Sequence, residues 1–127
     1  MWRALFIAFL IAHAGIHAAI WIPTAVGGPG GAKDAPFDAG HSWVLGDQRG
    51  LALVLALLAA GFLAVAGIGL WAHAEWWRPV AVTGLAVSFA LMVLYFNPWY
   101  LFIEAVNAGL IVGILWLDWP SKSMIGV

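Results

Sequence analysis

Two histidines, His13 and His17, lie four residues apart in the segment IAHAGIHAAIW, which is otherwise apolar. On an α-helix that spacing places both imidazoles on one face, where they could chelate a metal ion, bind a small molecule or pass a proton. Glu104 and Asn107 lie three residues apart in a second apolar segment and would also share a helix face. These four side chains are the candidate site residues.

The composition of the chain is typical of an integral membrane protein. Hydrophobic residues make up 65% of the 127-residue chain and charged residues only 9%, against roughly 25% charged residues in soluble domains. Four apolar runs approach the roughly 20 residues that cross a bilayer as a helix. They cover about residues 4–22, 50–73, 78–96 and 99–118, with a Gly- and Pro-rich loop over 24–49. We therefore predict an all-α fold, an up-down bundle of four transmembrane helices forming a single integral membrane domain over residues 1–127.

Charge and cysteine content exclude several function classes. A net charge of −1 offers no basic surface for nucleic acid, so the lipid bilayer is the expected partner. Without cysteine the chain has no thiolate nucleophile and no thiol ligands for an iron–sulfur cluster. Arg3, Arg78 and Lys122 fall on one side, against Lys33 and Arg49 in the first loop. This bias of three against two predicts that both termini are cytoplasmic.

Small residues recur every three or four positions on the first two helices. The first helix carries Ala4, Ala8, Ala12, Gly15 and Ala19, and the second carries Ala52, Ala56, Ala60, Ala64 and Gly67. Such stripes let helix backbones approach closely in lipid, where no hydrophobic drive joins helices. We expect these two helices to pack together or to self-associate, which makes a homo-oligomer or a partner membrane subunit an expected partner. His13 and His17 project roughly opposite the first stripe.

Depth in the membrane decides whether the histidines and Glu104 could meet. His17 lies five residues inside Ile22, and Glu104 lies five residues inside Trp99, so both are roughly 7–8 Å below the outer interface at 1.5 Å per residue. An ionised carboxylate in hydrocarbon costs about 2.5–3.5 kcal/mol or more, so Glu104 should face a partner in the bundle or be protonated. We expect one polar cluster in the outer half of the bundle, formed by His13, His17, Glu104 and Asn107 beneath a loop that carries Asp38, His41 and Asp47.

The residues alone leave four interpretations of this cluster open. It could be a hydrogen-bonded network that fixes helix register, or a pocket for a small lipophilic ligand. It could hold Zn, Cu or Fe through His13, His17 and Glu104, with His41 as a further ligand. It could also relay protons or ions. Haem is disfavoured because a second axial histidine should face His13 or His17 at the same depth, and His73, the other helical histidine, lies at the cytoplasmic end of the second helix.

The leading functional prediction is a non-enzymatic binding or accessory membrane protein whose polar pocket takes an unknown ligand. One alternative is a metal-dependent membrane enzyme that uses His13, His17 and Glu104, and another is a small transporter or proton-relay component. The other polar side chains are predicted to be structural. Thr83 and Ser88 should bond to their own helix backbone, whereas a solvated cytoplasmic rim is expected from Glu75, Arg78, Asp118 and Lys122.

Three segments carry a family resemblance. HAGIH in the first helix, WWRPVAVTGLAVS at the start of the third and EAVNAGLIVGIL in the fourth resemble a broad group of small four-helix membrane proteins of bacteria, common in actinobacteria. The residues that match the pattern of this group are His13, His17, Arg78, Pro79 and Asn107. The departures are a glycine displaced to Gly15 and a first loop that does not align. The resemblance implies a multi-pass protein of the bacterial plasma membrane, and it carries over no catalytic residue.

Overall fold

The computed structural model describes residues 1–26 and 39–126, with side chains described for 1–22 and 39–126. The described chain forms four long helices, α1 (Trp2–Val26), α2 (Arg49–Trp71), α3 (Trp77–Leu94) and α4 (Leu101–Trp116). An antiparallel hairpin of β1 (His41–Ser42) and β2 (Gly46–Asp47) precedes α2. A 3₁₀ turn, Pro98–Tyr100, leads into α4, and a short helix α5 (Lys122–Ile125) follows it.

The four long helices confirm the predicted all-α, four-helix up-down bundle. Each is long and apolar enough to span a membrane, and the spans begin and end within two residues of the predicted limits. Successive helices run in opposite directions. One end of the bundle therefore carries the hairpin and the α3–α4 turn, and we name it the loop side. The opposite end, which carries the start of α1 and helix α5, is the terminal side.

Small residues on α2 and α3 let neighbouring helices approach closely. A methyl group added to Gly67 of α2 would lie 3.0 Å from Ile11 Cδ1 on α1. One added to Gly84 of α3 would lie 3.0 Å from Leu63 Cγ and 3.1 Å from the Leu63 backbone nitrogen on α2. The small-residue stripe of α2 is buried or half-buried along its length. Its predicted packing role is therefore confirmed. In a membrane, small residues promote helix association because they let the helix backbones pack closely.

Helices α1 and α2 pack together as predicted, but the small-residue stripe of α1 does not form this interface. Its members are all exposed: Ala4, Ala8, Ala12, Gly15 and Ala19. α1 turns a face with larger side chains inward, where Leu10 is fully buried and Phe6 is nearly so. At the α1–α2 interface α2 contributes small side chains, which leaves room for the larger side chains of α1. The inward turn of α1 also places its histidines inside the protein, where polar groups can find partners.

Helices α1 and α4 flank one side of the bundle, and aromatic rings of α1 contact the residues that precede and follow α4. At the terminal side Phe6 packs edge-on against Trp119, with ring centroids 5.5 Å apart. At the loop side Trp21 lies 5.8 Å from Tyr100 between ring centroids. The most extensive helix contacts are those of α1 with α2 and of α2 with α3, and the contact of α4 with α3 is less extensive. Space for a cleft therefore remains between α1 and α4.

The loop-side hairpin is fixed to the end of α3. The Ser42 hydroxyl donates a hydrogen bond to the carbonyl oxygen of Leu94 at 2.7 Å, and the Trp43 indole donates to that of Val93 at 2.7 Å. The last carbonyls of a helix have no partner within it, so these two side chains cap α3. The Tyr95 hydroxyl donates to the carbonyl of Gln48 at 2.7 Å, which joins the same helix end to the start of α2. The hairpin thus lies over the loop-side end of α3.

An ion pair closes the terminal side of the bundle. Arg78 donates one hydrogen bond to the Asp118 carboxylate and another, of 2.7 Å, to the carbonyl of Pro120. These bonds connect the start of α3 to the segment that follows α4. Nearby, the Thr83 hydroxyl donates to the carbonyl of Pro79 at 2.9 Å, which confirms the prediction that it bonds to its own helix.

Candidate functional site

The inward face of α1 carries a ladder of rings spaced four residues apart. Phe9 meets His13 edge-on at 5.5 Å between centroids, and His13 stacks on His17 at 5.3 Å. His17 in turn lies 5.7 Å from the Trp21 ring. This spacing places successive side chains on one helix face. His13 is 5% exposed and His17 fully buried, so neighbouring rings hold both imidazoles in place.

His17 belongs to a network that joins three helices. Its Nε2 lies 2.9 Å from the Ser88 hydroxyl oxygen on α3, and the Asn107 amide on α4 donates to the same oxygen at 2.8 Å. A hydroxyl has one donor and two acceptor positions, so Ser88 can accept from Asn107 and donate to a neutral imidazole. All three side chains are buried. The network therefore ties α1, α3 and α4 together at one level.

Ser88 is the site residue that the sequence reasoning missed. The prediction that it bonds to its own backbone is wrong, because its hydroxyl instead bridges His17 and Asn107. The signal that could have identified it was its helix face. Ser88 follows Ala81 and Gly84 at spacings of seven and four, so it shares their buried side of α3.

His13 lies in a cleft between α1 and α4. Two adjoining cavities of about 270 and 240 Å³ both use Phe9 and Val106 as walls, and we name them together the α1–α4 cleft. Taken together they fall in the range of ~300–1,000 Å³ that is typical of ligand pockets. His13 is the one ionisable side chain among the described residues that line this cleft, and its Nε2 is buried with no hydrogen-bond partner in the described part of the chain.

Glu104 lines a different cavity, which we name the α3–α4 cavity. This cavity has a volume of about 440 Å³, and its lining residues are Trp43, Phe89, Val93, Phe96, Leu101 and Glu104. Glu104 is 9% exposed, and both of its carboxylate oxygens are buried without a hydrogen-bond partner among the described residues. Glu104 and Asn107 are about 60° apart around α4 at 100° per residue. Asn107 therefore reaches the central network while Glu104 lies toward the α3 side.

Three of the four side chains predicted to cluster are joined, because His13 stacks on His17 and His17 meets Asn107 through Ser88. His13 also lines the α1–α4 cleft. Glu104 lines the α3–α4 cavity. The sequence reasoning placed these groups at matching depth, but it could not tell which side of α4 each neighbour occupies. Depth alone does not bring two side chains into contact.

The arrangement gives the metal interpretation no geometric support. Within residues 1–26 and 39–126, no three histidine, aspartate or glutamate side chains are grouped so that they could hold a metal ion. His41, the suggested further ligand, is exposed on the hairpin, with its Nδ1 3.2 Å from Asp47 Oδ1. Asp38 lies outside the described residues. Zn, Cu or Fe binding by His13, His17 and Glu104 stays a prediction.

Comparison of the chain with protein-family models, with curated proteins and with solved structures gives no match. The resemblance to small four-helix membrane proteins of bacteria therefore stays a prediction.

Proposed function

We propose that the protein is a non-enzymatic membrane protein that binds a small lipophilic molecule in the α1–α4 cleft. The observation that carries this proposal is His13, whose Nε2 is buried and without a partner in an apolar cleft. A buried polar atom left without a hydrogen bond costs about 1–3 kcal/mol. A ligand that supplies the missing bond recovers that free energy, whereas a purely hydrocarbon occupant does not.

The walls of the cleft fit such a ligand. Apart from His13 the surface is apolar, with aromatic rings such as Phe9 and Phe102 beside aliphatic side chains such as Ile103. Small-molecule sites commonly combine apolar walls with few polar groups, and those polar groups fix the orientation of the ligand. Here the cleft lies between two membrane-spanning helices, so its natural occupant is a molecule that partitions into lipid and carries one hydrogen-bonding group.

The imidazole of His13 is held in a fixed orientation for that role. Phe9 meets it edge-on with 89° between the ring planes, and His17 stacks on it with 22° between the planes. His17 is itself held by Ser88. A binding group that is already ordered loses little conformational entropy when the ligand arrives. A single ionisable group also fits binding better than hydrolysis or proton abstraction, which need several converging groups.

The experiment uses radiolabelled farnesol, whose hydroxyl can donate or accept and whose isoprenoid tail is apolar. Binding to the full chain in nanodiscs should be saturable, with about one molecule per chain. His13→Phe keeps an aromatic ring but removes both ring nitrogens, and it should weaken binding about tenfold, which corresponds to about 1.4 kcal/mol.

His41→Phe is the matched control, because His41 is exposed on the hairpin outside the cleft, and it should leave farnesol binding unchanged. Thermal unfolding of both variants shows whether each is folded. Equal affinity of a folded His13→Phe variant and the wild-type chain would contradict the proposal, as would the absence of saturable binding.

A further inference from the structure

The α3–α4 cavity contains a buried acidic group that no described residue neutralises. Both carboxylate oxygens of Glu104 are buried and lack a hydrogen-bond partner in the described part of the chain. The other described residues that line the cavity carry no charge. A negative charge in hydrocarbon is unfavourable unless a positive charge or a donor compensates it. Glu104 therefore provides a place where a positive charge from outside the protein would be stabilised.

The basic side chains of the described chain lie elsewhere. Arg3 and Arg78 are on the terminal side, where they contact His73 and Asp118 respectively. Arg49 is on the loop side, but its side chain packs against Gly40, so close that a methyl group added to Gly40 would overlap it. Lys122 lies in α5, also on the terminal side. None of these four side chains lines the α3–α4 cavity. Among the described residues no basic side chain complements Glu104, so its carboxylate is available to a cationic ligand.

Aromatic rings make up much of the remaining wall. Trp43, Phe89 and Phe96 line the cavity together with Glu104. The faces of such rings attract cations, and tryptophan does so most strongly. Trp43 is 68% exposed, yet its indole is anchored by the 2.7 Å hydrogen bond to the carbonyl of Val93. An acid beside aromatic rings is a combination that recognises organic cations, whose charge is spread over an apolar surface.

We propose that the α3–α4 cavity binds a lipophilic organic cation, an ammonium or phosphonium ion with an apolar body, through Glu104 and the ring of Trp43. The volume of about 440 Å³ suits a small-molecule ligand. A phospholipid headgroup is a less suitable source of the charge. Glu104 lies roughly 7–8 Å along α4 from Trp99, at 1.5 Å per residue, which is deeper than the headgroup level where tryptophans concentrate.

This site does not depend on the α1–α4 cleft. The two share no described lining residue, and they lie on opposite sides of α4. Farnesol binding at His13 and cation binding at Glu104 can therefore fail separately. Each experiment tests its own site.

The test measures tetraphenylphosphonium binding to the full chain in dodecyl maltoside, an uncharged detergent without ammonium groups. Binding by equilibrium dialysis should saturate at one cation per chain. Tetraphenylborate, which has the same shape and the opposite charge, should not show saturable binding. Glu104→Gln removes the charge at nearly constant volume and should weaken cation binding at least tenfold. Asp47→Asn changes an acid on the same side of the bundle but outside the cavity, and it should have no effect.

Trp43→Leu keeps the proposal testable if Glu104→Gln does not fold, because Trp43 is largely exposed. It should weaken binding about two- to fivefold through loss of the cation–ring contact, while Trp99→Leu, an exposed loop-side control outside the cavity, should not.

The proposal is overturned if no cation binds, if tetraphenylborate binds equally well, or if folded Glu104→Gln binds as the wild-type chain does. Competition by added phosphatidylcholine would also overturn it, since the occupant would then be a lipid headgroup.

Discussion

Ser88 uses one hydroxyl group to serve two partners on two other helices. His17 Nε2 and the Asn107 amide both lie within hydrogen-bond distance of its oxygen. Whether a helical serine bonds to its own backbone or to a neighbouring helix depends on what lies opposite it. Residue type and spacing predicted His17 and Asn107 as candidate site residues. They could not identify Ser88 as the group between these two side chains, because that requires knowing how α1 and α4 are oriented relative to α3.

Removing this hydroxyl should destabilise the bundle. Ser88→Ala leaves His17 Nε2 and the Asn107 amide without their shared partner in a buried place, and we expect a loss of about 1–3 kcal/mol in the free energy of unfolding. Thr83→Ala is the control on the same helix, since Thr83 is exposed and bonds only to its own turn; a change within about 0.5 kcal/mol is expected there. Unfolding by titration with dodecyl sulfate measures both. Equal stability of the two variants would contradict the bridging role of Ser88.

At the scale of elements, the apolar runs located the four spans to within two residues. The face that each helix turns inward was less predictable. A stripe of small residues permits close approach by another helix and is equally compatible with lipid. The stripe of α2 is used inside the bundle, and that of α1 is not. Side-chain volume explains the difference, because the α1–α2 interface needs small residues on only one partner.

Gly84 should mark the tightest part of the α2–α3 interface. An alanine methyl there would approach the Leu63 backbone nitrogen at 3.1 Å, and backbone cannot move aside as a flexible side chain can. We expect Gly84→Ala to destabilise the protein by about 1–3 kcal/mol, as overpacking typically does. Gly61→Ala is the matched control on α2, because a methyl there meets nothing within 4 Å.

The same unfolding titration compares the two glycine variants. Gly61→Ala should be neutral or slightly stabilising, since alanine favours the helix over glycine. If Gly84→Ala behaves like Gly61→Ala, helices α2 and α3 do not approach as closely as the structure indicates.

For the whole molecule, the sequence predicted the bundle and the depth of its polar groups but not their distribution among cavities. His13 and Glu104 were expected to meet because they lie in the same half of the membrane. They line different cavities instead, because α4 separates them. The helix spacing that opens one cleft beside α1 and another cavity beside α3 arises from packing of the complete bundle, which no local pattern encodes.

The orientation of the bundle can be tested cleanly because the chain contains no cysteine. The distribution of Lys and Arg predicts that the terminal side faces the cytoplasm. A single cysteine introduced by Asp47→Cys on the hairpin should react with a membrane-impermeant maleimide in intact cells. One introduced by Lys122→Cys should react only after the cells are permeabilised. The reverse labelling pattern would show that the bundle has the opposite orientation.

Aromatic pairs connect the two sides of the α1–α4 region, Phe6 with Trp119 toward the terminal side and Trp21 with Tyr100 toward the loop side. Exposed residues such as Leu5 and Phe102 border the cleft. A molecule would therefore enter sideways from the bilayer rather than from water. Its effective concentration is then its mole fraction in the membrane, and site occupancy follows that concentration relative to Kd. A lipid-soluble compound that is scarce in the aqueous phase could fill the cleft with only modest intrinsic affinity, and occupancy would follow the composition of the membrane.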